Sequence, residues 1–425
     1  MIRFADFFSI LQSADAKSLY SDIAQILIAV SPIVLAFLLL IIFCPLWVNY
    51  VRSKYFFKTK TVLLEIRLPK ETLKSPLAME LFLMSLHQTG GEGSWLDKYW
   101  YGKTRPWFSL EMVSIEGQVR FYIWTREGQK NFTETSLYAQ FPGIEVKVAD
   151  DYSRSVSYDP NISSMFACEF ALVKPDSFPI KTYVDYGLDK DPKEEFKVDP
   201  LAPLIEYLGG VGFNQQTWIQ IIIRAHKKEQ VKAGTWWKKT DAWKDSAEFE
   251  INKIMQRDAK TKVAGKLDKA TNKIIPPTLS KGEQEIVAAL DRSITKQAFD
   301  VGIRAIYIGK KEFYDPSNIG GILGSFKQFG SEHLNGIKPN DNKYSRIFNY
   351  PWQDYRNWRY NKKMTIALDA YKRRMYFYEP YKETSFILNS EELATLFHFP
   401  GQVAAAPNLY RVPSKKGQAP SNLPI

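Results

Sequence analysis

A long apolar run near the N-terminus constrains this chain more than any other feature. Between Ile23 and Trp47 the only strongly polar side chains are those of Gln25 and Ser31, and none is charged. A helix rises about 1.5 Å per residue, so a run of this length can cross the roughly 30 Å of hydrocarbon in a bilayer. We therefore predict a transmembrane helix over residues 23–48, preceded by a short extracytoplasmic segment, residues 1–22.

Positive charge is concentrated after this run and predicts the orientation of the chain. Only Arg3 and Lys17 precede the run, and they lie among three aspartates. The cations that follow it are Arg52, Lys54, Lys58, Lys60 and Arg67. The positive-inside rule then places the N-terminus outside and the main body in the cytoplasm. We expect a single-pass protein of the cell (inner) membrane.

Aromatic and basic side chains at the end of the run are predicted membrane-interface anchors, because such side chains favour the headgroup region. These residues are Trp47, Tyr50, Arg52 and Lys54. A cleaved signal peptide is the alternative interpretation. The apolar run is too long for one, begins too late and lacks a small-residue cleavage site.

Charge and cysteine content narrow the class of partner. The formal net charge is +11, and the 425 residues include two cysteines. The anionic inner leaflet would attract a basic body beside the membrane, at about 1 kcal/mol per near-surface Lys or Arg. Nucleic acid is the alternative anionic partner. Cys44, in the apolar run, and Cys168, in a predicted strand, leave no disulfide framework or thiolate metal site.

Residues 61–150 have the pattern of a β-α-β-β-α-β unit. Ser75 followed by Pro76 is a favourable helix start, and Asn131 with Glu134 suggests a capping box for a second helix. Alternating apolar side chains predict four strands, around residues 64–68, 108–112, 119–123 and 144–148. This order is that of the ferredoxin-like fold, in which two helices cover one face of an antiparallel sheet.

Residues 163–340 repeat the same order of features. Asp199-Pro200 echoes Ser75-Pro76, and Trp218 opens a strand as Trp107 does. Matches in the same order along both halves indicate a tandem duplication. We therefore predict an α+β protein in which a second ferredoxin-like unit follows the first.

Three further segments are predicted around the second unit. A lysine-rich helical insertion, residues 227–297, interrupts it, and is either a solvated helical hairpin or an arm that docks on acidic lipid or a partner subunit. A helical extension, residues 341–401, follows the second unit. The remaining residues, 402–425, are predicted to be a flexible tail.

The sequence lacks a recognisable nucleotide-binding loop. Gly102-Lys103-Thr104 resembles the end of one, but the position that requires the first glycine holds Asp97, where a polyphosphate would sit. The triplet also precedes a strand rather than opening a helix. The four histidines form no ligand-spaced pair. We therefore predict no enzymatic activity and no catalytic, cofactor-binding or metal-binding residue.

Two segments, residues 355–363 and 371–378, interleave aromatic side chains with cations. Aromatic platforms beside Arg and Lys suit single-stranded nucleic acid, at about 1–3 kcal/mol per stacked base. The predicted contact residues for a partner or nucleic acid are Arg356, Trp358, Arg359, Lys362, Lys363, Lys372, Arg373 and Arg374. The alternative is an amphipathic helix whose aromatic side chains pack on the sheet while its cations extend into solvent.

Four segments carry a family resemblance: residues 107–126, 218–226, 389–401 and 413–424. They resemble the non-motor N-terminal region of bacterial type IV secretion and conjugation ATPases, in which a membrane-anchored α+β region precedes a P-loop motor domain. This sequence ends at Ile425, where the motor would begin. The resemblance therefore carries over no ATP-site residue, and implies that a separate polypeptide supplies the motor.

These observations predict a membrane-anchored cytoplasmic docking or assembly module, an accessory component of a type IV secretion-like or DNA-transfer apparatus. The expected partners are the membrane and a separately encoded P-loop ATPase or another secretion-apparatus subunit. The sequence leaves a homo-oligomer open, and no cofactor is expected. The alternative is a membrane-tethered single-stranded nucleic-acid-binding protein.

Overall fold

A computed structural model describes residues 14–69, 75–189, 198–228, 230–231, 239–257, 266–267, 274–275, 279–340, 352 and 354–400. The chain divides into two compact units. Unit 1 comprises the described residues up to 58 together with 91–104. Unit 2 comprises the described residues of 59–90 and those from 105 onward.

The secondary structure of these residues alternates helices and strands. The helices are α1 (Ala14–Lys58), α2 (Pro76–Ser85), α3 (Trp95–Tyr99), α4 (Lys130–Gln140), α5 (Ala202–Gly209), α6 (Ala242–Ile254), α7 (Lys281–Thr295), α8 (Ser317–Ser325), α9 (Trp358–Lys372) and α10 (Ser390–Leu396). The strands are β1 (Thr61–Arg67), β2 (Trp107–Ile115), β3 (Gln118–Arg126), β4 (Glu145–Ala149), β5 (Ser163–Leu172), β6 (Gln215–Ala225), β7 (Gln230–Val231), β8 (Lys239–Thr240), β9 (Lys266–Leu267), β10 (Ile274–Ile275), β11 (Ala298–Lys310), β12 (Ile337–Pro339) and β13 (Phe386–Asn389).

Unit 1 is dominated by α1. Its stretch Leu27–Lys58 is long and apolar enough to cross a membrane, which confirms the predicted N-terminal apolar helix. The helix extends beyond the predicted bounds, 23–48, at both ends, because the flanking residues include good helix formers such as Ala14 and Lys54. Residues 1–13 of the predicted extracytoplasmic segment lie outside the described part of the chain.

Unit 2 is an α+β body on a mainly antiparallel sheet, as predicted. In the described residues the strand order is β12-β5-β11-β6-β2-β3-β1-β4, and β13 also pairs with β11. The two halves of the sequence meet where β2 runs antiparallel to β6, with Glu111 opposite Gln220. The halves therefore share one continuous sheet.

Helices cover one face of this sheet. Side chains alternate along a strand, so Leu110 and Met112 of β2 join Ile219 and Ile221 of β6 in the apolar core. Helices α2, α4, α5, α8 and α10 contribute side chains to the same core. The predicted start of α2 is confirmed, because the Oγ of Ser75 accepts a hydrogen bond from the backbone N–H of Leu77.

The opposite face of the sheet is covered by α9 and the residues that follow it. The Tyr371 ring lies 5.3 Å from that of Trp218 on β6, and the hydroxyl of Tyr360 donates to the backbone oxygen of Met165 on β5 at 2.7 Å. The Tyr376 ring lies directly over Gly302 of β11, where a Cβ would approach it to 2.5 Å. A side chain at position 302 would therefore exclude this aromatic layer.

The predicted helical extension, residues 341–401, contains a strand as well as α9 and α10. β13 pairs with Ala298–Val301 of β11, and its Phe386 and Leu388 enter the core. Four residues are too few for their apolar periodicity to distinguish a strand from a helix. Residues 341–351 and 353, and the predicted tail 402–425, lie outside the described residues.

The predicted insertion, residues 227–297, contains two helices in its described part. Ala247 and Ile251 of α6 pack against Val287 and Leu290 of α7 and form a small apolar cluster of their own. The short pairs β7–β8 and β9–β10 also belong to this segment.

Candidate interaction surfaces

An exposed group of aromatic and cationic side chains lies at the beginning of α9. We call the side chains of Tyr355, Arg356, Trp358, Arg359 and Lys362 the aromatic–cationic surface. Tyr355 is 76% exposed and Trp358 is 64% exposed, and the three cations are also exposed. Large aromatic side chains with this degree of exposure commonly mark interaction sites when they occur together.

The backbone beneath this surface is firmly held. The buried carboxylate of Asp354 accepts hydrogen bonds from the backbone N–H groups of Arg359 and Tyr360, both at 2.7 Å. Arg356 and Asn357, with φ of 52° and 57°, turn the chain into α9. Together with the Tyr360–Met165 bond to β5, these contacts present the exposed side chains from a fixed base.

The surface is suited to an anionic partner. Residues 355–363 include four cations and no carboxylate. Lys362 Nζ lies 5.2 Å from the Trp358 ring, and the Arg356 guanidinium lies 5.3 Å from the Tyr355 ring. Such cation–π contacts hold both groups near one another. The rings and the cations could therefore contact the same ligand.

The other predicted contact residues lie elsewhere. Lys363 is half-buried, and Lys372 Nζ donates to the backbone oxygen of Val156 at 2.6 Å. Arg373 is exposed at the far end of α9 and pairs with Asp369 at 2.9 Å. The sequence pattern therefore grouped these residues with the aromatic–cationic surface, although they do not belong to it in the structure.

Arg374 corrects the prediction most clearly, because its side chain is only 1% exposed. It donates to the carboxylates of Glu111 and Asp151. Burial by itself lowers the pKa of Arg374, but these two carboxylates raise it above its ordinary value. The guanidinium is therefore a charged structural group of the interior and is not available to a partner.

Glu111 lies at the centre of a buried polar network that the sequence did not reveal. Its carboxylate accepts hydrogen bonds from Ser109, Tyr152, Gln220 and Arg374, at 2.7, 2.8, 2.9 and 2.9 Å. Donors from four residues surround this buried carboxylate and leave little room for a ligand. The alternation of side chains along β2 predicts that Glu111 lies on the face away from the apolar core. It does not identify the partners of Glu111.

A second buried cluster surrounds Asp300 of β11. Arg224 Nη2 donates a hydrogen bond to its carboxylate, and His226 Nδ1 lies at hydrogen-bond distance from it, both at 2.6 Å. Burial by itself raises the pKa of Asp300, but His226 and Arg224 lower it below its ordinary value. Each of these three groups already has a partner within the cluster. The cluster therefore stabilises the fold and does not present a reactive acid or base.

An open cleft of about 520 Å³ lies beside β12 and β13. Its lining includes Lys174 and Asp176. Lys174 Nζ donates to the backbone oxygen of Glu332 at 2.6 Å, and Asp176 accepts the backbone N–H of Ile387 at 3.0 Å. Because these polar groups already have partners within the protein, the cleft is a weaker candidate than the aromatic–cationic surface.

The predicted membrane-interface anchors lie on the C-terminal part of α1. Trp47 is half-buried, and its indole N–H donates to the backbone oxygen of Tyr99 at 2.9 Å. Tyr50 and Lys54 are exposed, and Arg52 is half-buried. Four residues after Tyr99, Lys103 pairs with Asp97 at 2.8 Å.

Neither cysteine indicates a reactive site. Burial raises the pKa of the Cys168 thiol far above its ordinary value, which makes its thiolate inaccessible. Cys44 lies on the exposed side of α1. Among the described residues, no group of three or more His, Cys, Asp or Glu side chains could hold a metal ion.

In comparison with protein families, residues 55–410 match a family described as a domain of unknown function (DUF8128). The match covers most of the chain and begins near the end of α1. No curated protein matches the sequence.

Proposed function

Because the chain belongs to the DUF8128 family, whose domain has no described function, we propose a role from its own residues: a membrane-anchored docking module without enzymatic activity. Its aromatic–cationic surface binds an anionic face of a partner protein. By the resemblance described above, the partner is a separately encoded P-loop ATPase or another subunit of a type IV secretion-like or DNA-transfer apparatus.

The observation that carries this proposal is the exposure of Tyr355 and Trp358 on a rigid base. Trp, Tyr and Arg are the residues that most often dominate binding energy at protein interfaces. Here all three types lie on one turn that Asp354 and Tyr360 hold against the body. A single-pass anchor would add to their effect, because tethering raises the effective concentration of partners in one membrane.

The strand order supports a finer description of unit 2 as two ferredoxin-like units. Within the first half the order is β4-β1-β3-β2, and within the second it is β12-β5-β11-β6. If the four strands of each half are numbered by themselves, both orders read fourth, first, third, second. The pairing of β2 with β6 then joins the two units edge to edge, as a scaffold that bears the docking surface.

The body is proposed to be cytoplasmic because five cations follow the apolar run. Protease treatment of sealed inner-membrane vesicles with the cytoplasmic face outward would digest the body. If the body is protected in these vesicles and digested in intact spheroplasts, the orientation is the reverse.

Affinity purification of the full chain from mildly solubilised membranes tests the docking role. We expect wild-type protein to retain a P-loop ATPase and a Trp358→Ala/Arg359→Ala variant to lose it. Two interface residues of these types contribute about 2 kcal/mol or more each, so recovery should fall at least about tenfold. The matched control is Phe249→Ala/Lys253→Ala, which removes an exposed aromatic and an exposed lysine from α6.

Two results would count against the docking role. One is that no ATPase or other secretion-apparatus subunit is recovered with the wild-type chain. The other is that the Trp358 and Phe249 variants lose the partner equally, since a specific surface should distinguish them.

The second candidate is binding of single-stranded nucleic acid, which the pairing of Trp358 with Lys362 favours. It predicts that the full chain in detergent binds an oligonucleotide with an affinity that falls steeply as salt increases. Replacing Arg356, Trp358 and Arg359 by Ala should abolish the binding. Undetectable binding at low salt would remove this candidate and leave the docking role in place.

A further inference from the structure

We propose that the segment 91–104 of unit 1 is a second bilayer contact, which lies in the headgroup region beside the C-terminal end of the membrane-spanning part of α1. This inference rests on the proposed membrane anchoring. It assigns lipid contact to residues that begin 43 positions after the end of the predicted transmembrane helix, residues 23–48.

The segment is fixed to α1 by close backbone contacts. Gly102 has φ of +63°, and a Cβ at this position would lie 2.4 Å from the backbone oxygen of Val51. Only glycine permits this approach. Trp47 donates its indole N–H to the backbone oxygen of Tyr99, and its ring lies 5.8 Å from that of Trp100. The segment therefore lies at the level of Trp47, where the apolar run ends.

The side chains that the segment leaves exposed are mainly apolar. Trp95 is 69%, Leu96 53%, Trp100 59% and Tyr101 58% exposed. Exposure of two tryptophans and a leucine within six residues is unfavourable in water, because their apolar area remains hydrated. In the headgroup region the same rings bury their apolar parts and keep their polar atoms hydrated.

The charged groups of the segment allow this contact. Asp97 closes the start of α3 by accepting from Ser94, and it forms an ion pair with Lys103 at 2.8 Å. The remaining cation, Lys98, lies 5.5 Å from the Tyr99 ring. With Glu92, the segment carries two carboxylates and two lysines, so its net charge is zero and does not oppose contact with anionic headgroups.

Lipid is the occupant that the geometry favours over a partner protein. The exposed rings of the segment continue the aromatic group formed on α1 by Trp47 and Tyr50, whose rings are 6.0 Å apart. This group follows directly on the apolar run that ends at Trp47. A helix and a segment held side by side at the end of a membrane span enter the same interface.

Site-directed spin labelling of the full chain tests the proposal. The chain is reconstituted in mixed phosphatidylcholine and phosphatidylglycerol vesicles, in a Cys44→Ser background; Cys168 is buried and does not react. Nitroxides are placed singly through Trp95→Cys, Trp100→Cys and Tyr101→Cys, so that no single replaced ring decides the result. Collision rates are measured with oxygen, which is enriched in lipid, and with a water-soluble nickel chelate.

Two control sites define the scale. Phe249→Cys on α6 matches Trp95 in exposure, at 65%, and reports water. Leu38→Cys, in the apolar part of α1, reports the bilayer interior. We expect the ratio of oxygen to nickel collisions at positions 95, 100 and 101 to exceed that at 249 severalfold and to remain below that at 38.

The outcomes separate this inference from the proposed anchoring. If the label at 38 reports lipid while those at 95, 100 and 101 match that at 249, the second bilayer contact is wrong and the anchor stands. If the label at 38 also matches that at 249, both are wrong.

Discussion

Arg374 and Glu111 form a bidentate ion pair within unit 2. Nε and Nη2 of Arg374 donate to the two carboxylate oxygens of Glu111 at 2.9 and 3.1 Å. The two side chains are 1% and 0% exposed. Because Glu111 also faces Gln220 across the junction of β2 and β6, this pair attaches the segment after α9 to the strands that join the two halves.

Removal of Arg374 is expected to destabilise unit 2 strongly. Arg374→Met leaves the Glu111 carboxylate buried without its cation, which typically costs about 3–5 kcal/mol. The control is Arg373→Met, which removes an exposed partner of Asp369 and should cost less than about 1 kcal/mol. Thermal unfolding of the detergent-solubilised chain, followed by circular dichroism, compares the two variants. Similar losses at positions 373 and 374 would contradict the assignment of Arg374 to the interior.

Gly302→Ala is expected to displace the aromatic layer on the sheet. The added Cβ would lie 2.5 Å from the Tyr376 ring, and overpacking of this kind costs about 1–3 kcal/mol. Gly128→Ala is the control, since no atom lies within 4 Å of its Cβ position. The midpoint of denaturant unfolding should fall only for the first variant. A Gly302→Ala/Tyr376→Ala double variant should lose less than the sum of the single changes; additive losses would exclude a direct contact.

The His398–Asp199 pair is expected to make stability depend on pH. Nε2 of His398 lies 3.0 Å from Oδ1 of Asp199, and Nδ1 lies 2.9 Å from the backbone oxygen of Ala394. Burial by itself lowers the pKa of His398, but Asp199 and the backbone oxygens raise it above its ordinary value of 6.5. The stability that this raised pKa contributes is fully present below the unfolded pKa and is lost as pH rises through the folded pKa.

His398→Gln should therefore reduce stability more at about pH 6 than at about pH 9, because the stability that the raised pKa of His398 contributes decreases as pH rises. Unfolding midpoints at both pH values measure this difference. His333→Gln, at an exposed histidine, controls for general effects of losing an imidazole. An equal penalty at both pH values would show that the pair does not titrate in this range.

Gly102→Ala is expected to release the 91–104 segment from α1. A residue other than glycine with positive φ costs about 1–2 kcal/mol before any clash with Val51 is counted. Limited proteolysis with chymotrypsin should cleave at Trp95, Tyr99 or Trp100 faster than in the wild type. Gly93→Ala, in the same segment and with no atom near its Cβ position, should cleave at the wild-type rate. Unchanged cleavage of both variants would contradict tight packing.

Local signals predicted much of the fold. The apolar run gave the long N-terminal helix, and Ser75-Pro76 gave the start of α2. The capping box predicted at Asn131 is wrong, because α4 begins at Lys130 and its N-cap, Gln129, makes no side-chain hydrogen bond. The short helical turn Glu127–Gln129 leads directly into α4. Asn131 therefore lies inside the helix and cannot act as its N-cap.

Asp199 shows why other local predictions failed. It was expected to cap a helix, but α5 begins at Ala202, with Leu201 as its N-cap. The Asp199 carboxylate accepts the backbone N–H of Leu201, as Ser75 does for Leu77, but the helix begins later and the same carboxylate also pairs with His398. His398 lies 199 positions after Asp199, so no local pattern could have predicted this second partner.

The same reason limits prediction of the candidate surface. Residues 355–363 and 371–378 have similar compositions, yet the first exposes Trp358 and the second buries Tyr371 and Arg374. The difference depends on Glu111 and Asp151, which lie 263 and 223 positions before Arg374. The resemblance to secretion and conjugation ATPases and the docking role stay predictions for the experiments above.

The position of α10 has a consequence for synthesis. A hydroxyl on α10, that of Ser390, donates to Glu80 of α2, 310 positions earlier, at 3.1 Å. The ribosome releases the N-terminus first, so α1 is available to the insertion machinery long before the body can complete its core. Translation therefore exposes α1 while the core of unit 2 is still incomplete, and that core is completed only after α10, the last helix of the described residues, has been made.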